Sequence, residues 1–182
     1  MIDDVVNNLK QGKTILYPTD TVWGIGCDAT NEVAVKKIYQ LKKREESKSL
    51  IILVSSIEML IEYLEEIPKK AIKVLNSSDK PTTIIYKNPI NLAKNTIASD
   101  NTIAIRIPQN DFCIQLINQF GKPIVSTSAN ISGQATPKSF SEISKAILES
   151  VDYVVDLHQD KLSEKSSKIL KIVDDSVIVI RE

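Results

Sequence analysis

The sequence predicts a single-domain α/β protein, residues 1–182, built on a twisted mixed sheet with flanking helices. Three observations lead there. Short β-branched apolar runs alternate with amphipathic stretches from end to end, the pattern of a sheet covered by helices. No repeat, low-complexity stretch or shift in composition marks a linker. Several strand-like runs follow one another without an intervening helix, so mixed pairing is expected rather than an all-parallel sheet.

The elements follow in order. KTILY (13–17) reads as a strand stopped by Pro18, and Asn31 then caps a helix to about Leu41, with Ala34, Ile38 and Leu41 on one face. SLIILV (49–54) reads as a buried strand, and Ser55 with Glu58 forms a capping box for IEMLIEYL. Pro68 suits the first turn of PKKAIKVL. TTIIYK (82–87) and TIAIRI (102–107) are strands, and DFCIQLINQF is a helix capped by Asn110 and closed by Gly121. KPIVST (122–127) is a strand running into SANISG, followed by a helix from about Ser139 whose capping box is completed by Glu142. The tail holds strands VDYVVD, SSKILKIV and SVIVIRE, the last two joined as a hairpin through Asp174 and Asp175.

Composition narrows the function. With 42% hydrophobic and 25% charged residues, the chain can bury a sizeable core. Basic and acidic residues balance at 23 each, so nothing holds nucleic acid by a global field, and any RNA contact must come from a local patch. Cys27 and Cys113 fit neither a metal pattern nor a disulfide scaffold, which points to a reducing, cytoplasmic setting. MIDDVVNNLK carries acids where a signal peptide carries bases, and no apolar run is long enough to span a membrane.

In YPTDTVWGIGCDAT (17–30), Gly24, Gly26 and Ala29 fit GxGxxG/A spacing, but Pro18–Trp23 separate the strand from the first glycine, where a dinucleotide fingerprint allows no gap. Gly24 and Gly26 are better read as letting the backbone turn closely past the sheet. No phosphate-binding loop, zinc helix or nucleophile elbow is present, and the single histidine, His158, has no triad partner at a readable spacing.

Two stretches carry chemistry. From residue 36 to 48, six bases (Lys36, Lys37, Lys42, Lys43, Arg44, Lys48) face two acids, suiting either a helix dipole or a polyphosphate or RNA backbone. IVSTSANISG runs from a strand into a loop with Ser126, Thr127, Ser128, Asn130 and Ser132, donors that satisfy either their own turn or phosphate oxygens. Arg106 in TIAIRIP alternates with isoleucines, placed for a structural ion pair or a ligand carboxylate.

Taken in order, PTDTVWGIG, LKKREESKSLIILV, TIAIRIP and PIVSTSANISG resemble the Sua5/YrdC/YciO family of threonylcarbamoyl-AMP synthases across most of the chain. The resemblance implies a YrdC-like fold with a concave ligand cavity, and an enzyme that makes threonylcarbamoyl-adenylate and pyrophosphate from ATP, L-threonine and bicarbonate. Mg2+ would arrive with ATP, and a threonylcarbamoyl transferase complex would pass the product to tRNA. It further implies that Lys42, Arg44, Lys48, Ser128 and Asn130 bind ATP, with Lys42 and Arg44 catalytic. Ser167 and Arg181 match late nucleotide positions, while Thr21, Thr83, Arg106 and Ser126 match threonine-binding positions. The pattern departs at Trp23, which replaces the usual tyrosine and, facing the ligand with Thr21, keeps an aromatic wall but loses a hydroxyl; at SSDKPTT, which replaces a PGPxT setting; and at VDLHQDKLSEKSSK, which lacks glycines. Asp20 is a candidate to polarise the amine or a water, or to cap a turn. The alternative within the same superfamily is an RNA-binding or ribosome-associated YciO-like protein, gripping tRNA or double-stranded RNA without this activity.

Overall fold

The computed structural model describes residues 1–163 and 165–182; within VDLHQDKLSEKSSK, Glu164 lies outside the described residues. The strands are β1 (Ile15–Tyr17), β2 (Gly24–Gly26), β3 (Ile51–Leu53), β4 (Thr82–Lys87), β5 (Thr102–Arg106), β6 (Ile124–Ser128), β7 (Tyr153–Val154), β8 (Lys168–Val173) and β9 (Ser176–Arg181). They form one sheet in the order β7-β1-β2-β6-β3-β5-β4-β8-β9. The sheet is mixed, as expected: β1–β7, β3–β5 and β4–β8 are parallel, whereas β1–β2, β2–β6, β3–β6, β4–β5 and β8–β9 are antiparallel.

The helices are α1 (Ile2–Lys10), α2 (Glu32–Lys42), α3 (Ile57–Ile61), α4 (Lys69–Ser77), α5 (Asp111–Phe120) and α6 (Lys145–Ser150), and none is long and apolar enough to cross a membrane among the described residues. Their ends follow local chemistry. Asn31 accepts from the amides of Val33 and Ala34, and Asn110 from that of Cys113 at 2.8 Å. Gly121, at φ 77°, closes α5 in the left-handed conformation that costs glycine nothing.

Three expectations are corrected. The cap of α3 is Ser56, whose hydroxyl accepts from Met59 N–H, because Ser55 instead turns its hydroxyl to the Met59 sulfur. The stretch from Ser139 divides into a 3-10 turn (Phe140–Glu142) and α6, which Ser144 caps; Glu142 reaches back to the Lys138 amide rather than to Ser139. Gly24 and Gly26 form a strand. Gly24 pairs with Tyr17 on β1 and Ser128 on β6, Gly26 pairs with Ile15 on β1, and a Cβ on Gly26 would lie 2.5 Å from the Val125 carbonyl and 2.7 Å from the Tyr17 ring.

Side-chain alternation along the strands divides the core. On one face, Leu16, Ile25, Ile52, Ile84, Ile105 and Val125 pack with α2 and with Leu60, Ala71 and Ile147 of α3, α4 and α6. On the other, Ile15, Tyr17, Leu53 and Ile124 pack against Val5, Val6 and Leu9 of α1 and Phe112, Leu116 and Ile117 of α5. That second layer covers only part of its face, and the uncovered remainder is polar.

Candidate functional site

Strand register places the polar residues. Leu53, under α5, pairs with Arg106 on β5 and with Ile124 on β6, so Ser126, two residues on, shares their face. Arg106 pairs with Thr83, Thr83 with Ile169, and Ile169 with Arg181, which carries the same face across β4, β8 and β9. Polar side chains at these alternating positions floor a concave surface beyond the helical layer. The bare Gly24 backbone lets its neighbours close in beside this surface: a Cβ there would sit 3.3 Å from both Ser126 Oγ and Thr19 Cγ2.

A cavity of about 190 Å³ opens on this surface, lined among others by Thr21, Arg44, Arg106, Ser126, Ser128, Ser167 and Arg181. The fold thus gathers from six separate stretches most of the residues singled out in the sequence. Three guanidinium groups and several hydroxyls converge, which suits a small, multiply charged anion.

Arg106 is 3% exposed and ion-pairs through Nη1 with Asp20 Oδ1, while its Nη2 approaches Thr21 Oγ1 at 3.4 Å. Asp20 Oδ2 accepts from the Gln109 amide at 2.9 Å. Arg106 Nε is buried with no hydrogen-bond partner among the described residues. Arg181 donates through Nε and Nη2 to the Ser167 carbonyl and through Nη2 to Ser167 Oγ. Burial, and then the charge of Arg106, lower its proton affinity. Arg44 follows the left-handed Lys43 (φ 50°) that ends α2, and its Nε and Nη2 brace the carbonyls of Lys48 and Ser49.

Four expected contacts lie elsewhere. Lys42 is 1% exposed, and its ammonium donates to the carbonyls of Ser128 and, at 2.6 Å, Asn130; it fastens the loop after β6 from behind instead of lining the cavity. The Ser132 amide returns the tie by donating to the Lys42 carbonyl at 2.8 Å. Burial and then the charge of Arg44 push the Lys42 ammonium down to about 8. The Asn130 amide donates to the Ile131 and Gln134 carbonyls and shapes that loop. Thr83 is fully buried, with its Oγ1 2.8 Å from Ser167 Oγ, so it supports Ser167 from beneath. Lys48 is exposed, outside the cavity wall.

Trp23 turns into the core, 3% exposed, with its ring centroid 5.0 Å from that of Phe140. It also borders a second cavity of about 320 Å³, with Asp20, Gln109, His158 and Lys161, which adjoins the first through Thr21 and Val22. Ser49, Thr136 and Ser166 line the first cavity as well. The only sequence signal for Thr136 was its place shortly after the hydroxyl-rich loop. A recess of about 550 Å³ between α2 and α6 is lined by Lys37 and Lys43 of the basic stretch, but by none of the residues expected to bind ATP or threonine. No cluster of three or more His, Cys, Asp or Glu side chains able to hold a metal occurs among the described residues.

A family model described as "Telomere recombination", Sua5/YciO/YrdC, matches residues 7–182. A putative threonylcarbamoyl-AMP synthase of Methanocaldococcus jannaschii is 38% identical over 185 aligned positions, covering 100% of this chain and 85% of that protein. The structure of P. abyssi Sua5 complexed with L-threonine superposes with TM-score 0.88 at 26% identity, covering 99% of this chain and 53% of that one, so this chain spans about half its length. E. coli YciO shares the fold, with TM-score 0.86 at 24% identity, over 100% of this chain and 88% of its own. The chain belongs to the Sua5/YciO/YrdC family.

Proposed function

We propose that this protein is an L-threonylcarbamoyladenylate synthase, a nucleotidyltransferase that converts L-threonine, bicarbonate and MgATP to threonylcarbamoyl-AMP and pyrophosphate. The observation that carries the reading is the convergence of Arg44, Arg106 and Arg181 on one hydroxyl-lined cavity. Its support from relatives is the name of the M. jannaschii protein and the L-threonine in the P. abyssi structure.

Condensation of threonine's amine with bicarbonate gives a carbamate anion and water. A carbamate oxygen then forms a bond to the α-phosphorus of ATP as the bond from that phosphorus to the bridging oxygen breaks, and pyrophosphate leaves. The attacking oxygen is already anionic, so no general base is needed. The protein's task is to align two anions and offset the charge that grows on the leaving phosphates. Arg44 and Arg181 take the phosphate side, with Ser128 and Ser167 as neutral donors. Lys42 acts through the loop it anchors. Arg106, Thr21 and Ser126 take the threonine side. Asp20 is committed to Arg106 and Gln109, and Mg2+ would arrive with the nucleotide and offset phosphate charge. Threonylcarbamoyl-AMP would then pass to a transferase acting on tRNA.

The test is to incubate the purified protein with ATP, bicarbonate and each amino acid in turn and to identify the adenylate by mass. Product with threonine supports the proposal. Failure with every amino acid, together with salt-sensitive RNA binding through exposed Lys36, Lys37, Lys43 and Lys48, would replace it with the RNA-binding reading.

A further inference from the structure

We infer that Asp20 is a positioning residue that sets the carboxylate specificity of this site by holding Arg106 with one edge of its guanidinium turned toward the substrate; this rests on the threonine-binding role just proposed for Arg106. A guanidinium offers two forked edges to a carboxylate, Nη1 with Nη2 and Nε with Nη2. Asp20 engages Nη1 and so blocks the first. The second remains, and its Nε is the buried donor that has no partner among the described residues. A buried, unsatisfied donor on a fixed cation is costly unless a ligand completes it. The Nη2 end of the same edge lies beside Thr21 Oγ1, a hydroxyl of the cavity wall.

The carboxylate that fixes Arg106 is itself fixed. Its Oδ2 accepts from the Gln109 amide, three residues beyond Arg106, and its side chain is 5% exposed. Asp20 therefore ties the loop before β2 to the segment after β5. It also neutralises one of the three arginine charges, so that Arg106 discriminates by geometry while Arg44 and Arg181 keep their charge for phosphates. This accounts for an acid in PTDT, next to a cavity whose polar lining is hydroxyls and guanidiniums.

Asp20→Asn keeps an acceptor for Gln109 but loses the charge that holds Nη1; Asp20→Glu keeps the charge on a longer arm. In steady-state assays of the full chain, Asp20→Asn is expected to raise KM for threonine by about tenfold or more, with kcat and KM for ATP within about twofold. Asp20→Glu should recover part of the loss. A merely structural role would move both KM values together. The second readout is the Arg106 Nε–H resonance of labelled protein, assigned by its disappearance in Arg106→Lys. Titrated L-threonine should shift this signal, L-threonine amide should not, and Asp20→Asn should abolish the difference and speed exchange of the Nε–H with water. Equal rises in the two KM values, an equal response to acid and amide, or an unchanged Nε–H exchange rate in Asp20→Asn would each overturn the inference. The exchange measurement needs no catalysis, so a wild type that makes no adenylate defeats the proposed function while the hold of Asp20 on Arg106 is judged separately.

Discussion

Replacing Lys42 by methionine separates its fastening role from direct contact with substrate. Methionine nearly conserves the stem but removes a buried charge and both of its bonds to the loop after β6. The Ser128 carbonyl retains the Asn130 amide at 2.9 Å, whereas the Asn130 carbonyl loses the lysine donor, an unsatisfied group costing about 1–3 kcal/mol. Removing the ammonium also relieves a burial penalty. The fall from 10.5 to about 8 is worth about 3 kcal/mol at about 1.4 kcal/mol per pH unit. The two effects oppose each other, so near pH 7 the variant's stability should lie within about 2 kcal/mol of wild type. Because folding lowers the proton affinity of Lys42, the unfolded chain binds the extra proton between about pH 8 and 10.5, and wild-type stability rises with pH across that window. Relative to Lys42→Met, wild type should gain about 2 kcal/mol between about pH 7 and about pH 9.5 in urea unfolding. Threonine-dependent pyrophosphate release should fall about a hundredfold or more, mainly through KM for ATP, as the loop bearing Ser128 loses its anchor. A wild-type kcat/KM, or a stability difference flat with pH, would refute the assignment.

Other substitutions probe different parts of the site. Arg44→Ala should lower pyrophosphate release by about a hundredfold or more while the melting temperature stays near wild type, as followed by calorimetry. Gly26→Ala should destabilise by about 1–3 kcal/mol in urea, since its Cβ meets a backbone oxygen at 2.5 Å that cannot move aside as a side chain would; unchanged stability would show that β2 shifts freely. Thr83→Val deletes the hydroxyl beneath Ser167 at almost no change in volume, and should cost about 1 kcal/mol in stability and raise KM for ATP more than KM for threonine.

Much of this architecture was legible because strong local signals agreed. Asn31, Asn110 and Gly121 marked helix ends, and β4 begins and ends where TTIIYK does. Asp174 and Asp175 both take positive φ, 46° and 62°, as the hairpin between β8 and β9 requires. What stayed hidden depends on tertiary contact. Glycines carry no strand propensity, so β2 becomes visible only when β1 and β6 pair with it from both sides. The capping box at Ser55 has its sequence spacing one residue out of register with the helix that packs. At the site, sequence order could name Lys42, Asn130 and Thr83 but not their orientation. That depends on which side of a loop or strand meets the cavity, and all three serve it from behind.

Strand β9 gives the site an unequal foundation. Val177, Ile178, Val179 and Ile180 are 38–54% exposed, and the strand's only ladder partner among the described residues is β8. Arg181, a cation of the cavity wall, thus rides on an element with one neighbour and little burial, the kind that opens at a small fraction of the global unfolding free energy. Arg106, by contrast, is buried on β5, which β3 and β4 flank on both sides. The charge of the cavity is therefore divided between a permanent share and a detachable one, and local fraying of a single edge can lower its affinity for anions while the rest of the molecule stays folded.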